Sequence, residues 1–281
     1  MKKHTSNLLL ILVFLTGLSL LLYPTVSDYW NSMHQSRAIA GYTEMTAKIE
    51  NEEYDRLLNE ARDYNQQLLQ KYNHWILSEE EKEEYSKILD VSGTGIIGYI
   101  EIDKINCSLP VYHSTEEQVL QIAIGHIEGS SLPVGGESTH SVLSGHRGLP
   151  SAKLFSELDQ LVAGDTFLIR VLDEVLIYEV DQIRIVEPEE LEALEIEQGK
   201  DFCTLVTCTP YGINTHRLLV RGHRVENTDQ MEVRVTADAI QIEPVMVAPV
   251  VAVPLLMLVL IWITAAGRRK KKEQTQRRNR K

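Results

Sequence analysis

Only three cysteines occur in 281 residues, Cys107, Cys203 and Cys208. Three thiols cannot build the bridge framework of a small secreted domain, and an odd number leaves at least one free. Cys203, Cys208 and the nine histidines lack the short paired spacing of a zinc site, so no metal is expected. No glycine-rich phosphate loop precedes a helix, and no cofactor is expected either. Aromatic residues make up 6% of the chain and do not interleave with its basic run, which argues against a nucleic-acid partner. The eight residues between Cys208 and Arg217 are too many for a phosphatase loop, and the local signature of a papain-type cysteine is absent.

Long apolar runs are present, and there are two. Residues 8–22 are interrupted only by Thr16, Gly17 and Ser19 and follow Lys2 and Lys3, the pattern of a signal or an anchor. No small-residue cleavage site follows, which favours an uncleaved anchor in the segment 1–27. Residues 245–267 carry no charge and are long enough to cross a bilayer, with Trp262 near one end. The tail 268–281 then holds nine basic residues and one acid, Glu273. Positive flanks stay inside, so both termini are expected in the cytoplasm and the body outside a cell membrane. With the tail and the two N-terminal lysines set aside, 17 basic and 39 acidic residues leave that body at −22. So acidic a surface disfavours anionic partners and suits lysine-rich ones, and it equally fits an ordinary solvated exterior with no such partner.

Between the first run and the body, residues 28–94 read as a helical preamble. Tyr54, Leu57, Ala61, Tyr64 and Leu68 recur at three and four within 45–72, giving one apolar face that packs on the body. Ser78 with Glu81 three residues on predicts a capped second helix, and the connection 73–76 is expected to move. From residue 95 the texture is that of strands: 96–102, 110–112, 141–144, 166–172, 175–186, 202–208 and 216–225, interrupted by short helices near 116–122 and 152–161. Asp173-Glu174 marks a tight hairpin. Seven or eight short strands with turn signals predict a mostly β, closed or nearly closed barrel over 95–226, joined to the second span by a linker, 227–244.

Residues 204–221 carry the chemistry. Cys208 ends an apolar, β-branched strand, Pro210, Gly212 and Asn214 punctuate a loop, and the return strand brings Arg217 alongside the cysteine. Cys203 lies five residues earlier and so faces the other way; it and Cys107 read as core thiols. A thiolate attacking an amide builds negative charge on the carbonyl oxygen, which an always-ionised guanidinium at Arg217 stabilises. Arg221 shares that face but lies farther from the loop. A thiol also needs a base. His146, framed by Gly145 and Gly148 after a strand, has an edge over His126 on spacing, and both stay open.

Thr204-Leu205-Val206-Thr207-Cys208 resembles the signature of the sortases, and its continuation Pro210-Tyr211-Gly212-Ile213-Asn214-Thr215-His216-Arg217 resembles the class C, pilus-assembling members. Ser144-Gly145-His146-Arg147-Gly148 is similar to the segment bearing that family's histidine, which raises His146 above His126. The resemblance spans residues 42–225 and the two-span layout with its basic tail. It implies an eight-stranded sortase barrel and a membrane-bound cysteine transpeptidase that cuts an LPXTG-like sorting signal after its threonine. By the same resemblance Cys208 is the nucleophile, His146 the acid and base, Arg217 holds the substrate or oxyanion, and Thr207 offers the substrate a hydrogen bond. A lysine amine of the next pilin subunit then resolves the thioacyl enzyme as an isopeptide bond. A wall-anchoring sortase and a non-catalytic assembly scaffold are the alternatives. The Asp-Pro-aromatic lid tripeptide common in this class does not occur. Asp28-Tyr29-Trp30 lies close to the first apolar run, which leaves a divergent lid at 73–90 or an open groove.

Overall fold

The computed structural model describes residues 2–226; the second apolar run and the basic tail lie outside them. Three helices precede the strands: α1 (Lys2–Thr46), α2 (Asn51–Gln70) and α3 (Glu79–Tyr85). Among the described residues, α1 is the one helix long and apolar enough to cross a membrane. It continues through Pro24 into the preamble instead of ending near residue 27. At its far end Tyr42 is buried, donates to the Ile97 carbonyl (3.1 Å) and accepts from the Leu172 N–H (2.7 Å).

Helix α2 packs as its period requires, burying Leu57, Leu58, Ala61 and Leu68. Each fully buried leucine contributes about 1.5–3 kcal/mol. Asn65 sits in the same stripe, and its amide is matched at both ends: Nδ2 donates to the Leu132 carbonyl (3.0 Å) and Oδ1 accepts from the Leu132 N–H (2.7 Å). Asn65→Ala leaves both backbone groups without a partner and is expected to cost roughly 2–4 kcal/mol. A lower denaturant midpoint at unchanged slope checks this. Helix α3 starts at Ser78 with the full capping box, Ser78 accepting from the Glu81 N–H (3.2 Å) and Glu81 from the Ser78 N–H (2.6 Å).

Eight strands follow: β1 (Ile96–Ile102), β2 (Cys107–His113), β3 (Ile124–His126), β4 (Thr139–Ser144), β5 (Thr166–Val171), β6 (Glu174–Val186), β7 (Asp201–Thr209) and β8 (His216–Val225). They close a barrel in the order β1-β2-β3-β4-β7-β8-β6-β5, as the alternating sequence predicts. Two pairs are parallel, β2 with β3 and β4 with β7. A four-residue helix, α4 (Glu117–Leu120), lies between β2 and β3, and the second expected helix is a 3-10 turn at Leu158–Gln160. Inside the barrel Ile100, Val111, Ile124, Leu143, Phe167, Ile169, Tyr178, Cys203, Leu205 and Val220 form one core with the apolar face of α2.

His126 belongs to this interior and is fully buried. Its Nε2 donates to the Ser131 carbonyl (2.8 Å), which leaves Nδ1 to accept from the Tyr85 hydroxyl (2.8 Å). Burial lowers its pKa to about 4. The unfolded ring takes its proton first, near 6.5, so stability is complete above that pH and is lost as pH falls towards 4, by roughly 3 kcal/mol. Burial shifts His113 and His140 in the same direction. Unfolding midpoints at pH 7 and 4.5 are expected to differ accordingly, with a shallower dependence in His126→Gln.

Candidate active site

Strands β7 and β8 form a hairpin whose register is set by its short loop. Cys208 is paired directly with Arg217, next to Thr207 with Leu218 and Thr209 with His216. Directly opposed residues in an antiparallel ladder have Cα atoms about 4.5–5.5 Å apart and side chains on one face. On β7 that face is the outer one, because Cys203 and Leu205 fill the core and Cys208 has the opposite parity. Cys208 is half-buried, whereas Cys107 and Cys203 are buried. Burial pushes the Cys107 thiol up to about 12 and the Cys203 thiol well above its ordinary value. The accessible thiol is therefore Cys208.

The histidine arrives on the other neighbour of β7. Strand β4 runs parallel to it, with Ser144 level with Val206. The paired register ends there, two residues before His146 on one side and Cys208 on the other. The Gly145 N–H continues the ladder to the Val206 carbonyl (3.0 Å). Gly145 is required there, because a Cβ would come within 2.5 Å of Ile124 and 2.8 Å of Phe155. Thr207, expected to reach the substrate, is turned to the scaffold instead: it is 2% exposed and its hydroxyl donates to the Gly145 carbonyl (2.7 Å). Odd positions of β7 point into the barrel, so this hydroxyl ties the cysteine strand to the histidine segment.

Beyond His146 the chain is fixed at several points. Phe155 donates its N–H to the His146 carbonyl (3.1 Å), and Ser156 accepts from the Gly148 N–H (3.0 Å). Gly148 has φ +77°, and a Cβ there would lie 2.9 Å from the Tyr211 ring. Arg147 pairs with Asp159, donates to Thr209 (3.4 Å) and lies 5.8 Å from the Tyr211 ring centre. It thereby joins the histidine segment to the β7–β8 loop. The Nε2 of His146 is 3.7 Å from Glu117 on α4. Arg217 donates to the carbonyls of His216 (3.1 Å) and Asn214 (3.4 Å). Arg221 on the same face is occupied by Asp181 (3.0 Å) and Glu197 (3.1 Å) and lies over Phe202.

Cys208, Arg217 and His146 thus come from three adjacent strands or their ends at one rim of the barrel, whereas His126 is enclosed. Sequence reasoning missed Glu117 and Arg147; the latter adjoins His146 in the chain and could have been flagged from that position. Helix α1 also reaches this rim. Asp28, Asn31 and Gln35 lie on one face, and they bind the Lys153 N–H (2.8 Å), the Ser151 carbonyl (2.8 Å) and the Ile122 carbonyl (2.7 Å). Residues 151–153 follow the histidine segment, so Asp28 lies nearer the site than its sequence position suggests. The connection at 73–76 is not free: His74 is buried and bonded to Gly129.

A sortase-domain family model matches residues 100–225. Sortase C1 of Streptococcus agalactiae is 53% identical, with a TM-score of 0.67 covering 68% of this chain and 100% of that one. Streptococcus pneumoniae sortase C, described in terms of catalysis and pilin substrate specificity, is 44% identical with a TM-score of 0.62, covering 68% of this chain and 98% of that one. Among curated proteins, sortase A of Bacillus anthracis is 28% identical over 130 residues, 46% of this chain. The chain spans 60% of the length of that relative.

Proposed function

The chain belongs to the class C sortases, a family of cysteine transpeptidases, and on that premise we propose that it polymerises pilin at the outer face of a cell membrane. The observation that supports the assignment of roles is the pairing of Cys208 with Arg217 on one face, with His146 two residues beyond the end of the parallel strand β4 that pairs with β7. Cys208 passes its thiol proton to His146, and Sγ attacks the threonine carbonyl carbon of an LPXTG-like signal while Arg217 faces the oxygen as it gains charge. The bond from threonine to the following residue breaks. His146 gives its proton to the leaving amine, and a thioester remains. A lysine Nζ of the next pilin subunit then attacks that carbonyl, the C–S bond breaks, and His146 takes the proton from the new amide nitrogen. Thr207 serves by holding Gly145, next to the histidine.

The acidic body, at −22, suits a lysine-bearing acceptor. The apolar part of α1, with Leu10, Leu12, Leu20 and Leu21 exposed, suits a membrane anchor. In this reading residues 245–267 form a second anchor and the tail 268–281 is cytoplasmic. The test is to incubate the full-length chain in lipid nanodiscs with a sorting-signal peptide and pilin, and to look for a thioacyl adduct and covalent pilin dimers by mass. Dimers joined through a lysine support polymerisation. Transfer only to a wall-peptide amine supports a wall-anchoring enzyme, and the absence of any adduct supports a scaffold.

A further inference from the structure

The outer face that carries Cys208 also carries a second apolar cluster, distinct from the barrel core. Val142, Val186, Val206 and Leu219 contribute from β4, β6, β7 and β8, and Leu194 is laid onto them by the loop 187–200. Val206 precedes Cys208 by two residues, so the cluster begins about 7 Å along the strand from the cysteine. The loop leaves β6 at Val186, which is paired with Arg217, and Glu187 at its start lies 3.3 Å from His216. Loop, cluster and thiol therefore share one surface, and with the loop at rest the five cluster residues are buried.

That resting place is fixed by the preamble. The Trp75 indole donates Nε1–H to Glu195 Oε1 (2.9 Å), and His74 Nε2 lies 3.1 Å from Glu195 Oε2. His74 Nδ1 donates to the Gly129 carbonyl (2.6 Å), and the Trp75 ring packs against the same cluster. The fit is close: Gly129 has φ +85°, and a Cβ there would collide with the His74 carbonyl and lie 3.1 Å from the Trp75 Cα. From the barrel side, His140 donates Nδ1–H to the Glu195 carbonyl (2.9 Å). Glu195 is thus gripped through its carboxylate by residues about 120 positions away and through its backbone by β4.

We infer that His74 and Trp75 are positioning residues for substrate selection, setting through Glu195 the height of the loop 187–200 over the apolar floor beside Cys208. The inference rests on Cys208 being the nucleophile for the sorting peptide. A two-residue segment outside the barrel then takes part in recognition without touching the reacting atoms.

Trp75→Phe keeps a packing ring and removes the donor, and Glu195→Ala removes the acceptor from a half-exposed position, so at least one variant of the full-length chain should fold as the parent does. Losing one such hydrogen bond corresponds to roughly a 3- to 10-fold change in affinity. KM for the sorting peptide is expected to rise by that factor in both variants, with kcat and the rate of Cys208 alkylation by iodoacetamide within about twofold of the parent. The double variant is expected to be no worse than the worse single one. Unchanged KM in folded variants overturns the inference, as does a parallel fall of kcat and alkylation rate, which marks general loosening. A parent enzyme that never forms a thioacyl adduct overturns the functional reading, and this inference with it.

Discussion

Cys208→Ala is expected to abolish thioacyl formation and pilin joining, by at least about 10⁴-fold, while the barrel unfolds at nearly its parental denaturant concentration. The chemical part follows from there being one accessible thiol among the described residues, since Cys107 and Cys203 are buried and their thiols are pushed up by burial. Neither can substitute, because a buried neutral thiol is a poor nucleophile and Cys203 points into the core. The structural part follows from the half-buried position of Cys208 on the outer face, where loss of one sulfur opens no core cavity. Iodoacetamide labelling supplies an independent check, with one adduct on the native parent chain and none on the variant. His146→Ala is expected to cost a similar factor, and the double variant no more than either single change, as groups acting as one unit behave. An additive double variant would show that the imidazole works apart from the thiol.

Which of these relations the sequence reveals depends on how far apart along the chain the partners lie. The pairing of Cys208 with Arg217 is legible because Pro210, Gly212 and Asn214 mark a short hairpin, and a hairpin fixes register locally. The approach of His146 is not legible from spacing. It depends on β4 lying parallel to β7, a contact between segments some 60 residues apart that no local signal encodes. The residue pattern Ser144-Gly145-His146-Arg147-Gly148 compensated, since it carries the resemblance to the family. Strand β3 is not legible, because Ile124-Gly125-His126 is three residues long with a glycine in the middle, and only its neighbours β2 and β4 hold it extended.

The second apolar cluster was hidden by its own regularity. Phe202 to Cys208 is apolar on both faces, which reads as a buried strand without saying what covers the second face. The cover is a loop and a tryptophan from the preamble, both distant in sequence. The same limit explains the connection at 73–76: Asn73-His74-Trp75-Ile76 has the polarity of a mobile linker, and its anchors, Gly129 and Glu195, lie 55 and about 120 residues away. The apolar face of α2 and the cap of α3 are legible, because periodicity and a capping box act within one or two turns, whereas the break between α1 and α2 inside the expected stretch 45–72 is not.

Arg217→Ala is expected to lower kcat for thioacyl formation by about 10²–10³-fold with a much smaller change in KM, the signature of a group that acts on charge developing in the transition state. The guanidinium is always ionised, lies opposite Cys208, and is oriented by the carbonyls of His216 and Asn214 instead of being neutralised by a carboxylate in the described contacts. Arg217→Lys keeps the charge and loses the planar fork, so it is expected to recover only part of the rate. Arg221, four residues on, is the informative contrast, because it is held by Asp181 and Glu197 over Phe202 and its loss should register first in stability. If Arg217→Ala raises KM and leaves kcat intact, the residue holds the peptide in the ground state and the oxyanion is stabilised elsewhere. Backbone N–H groups near His146 would then be the next donors to test.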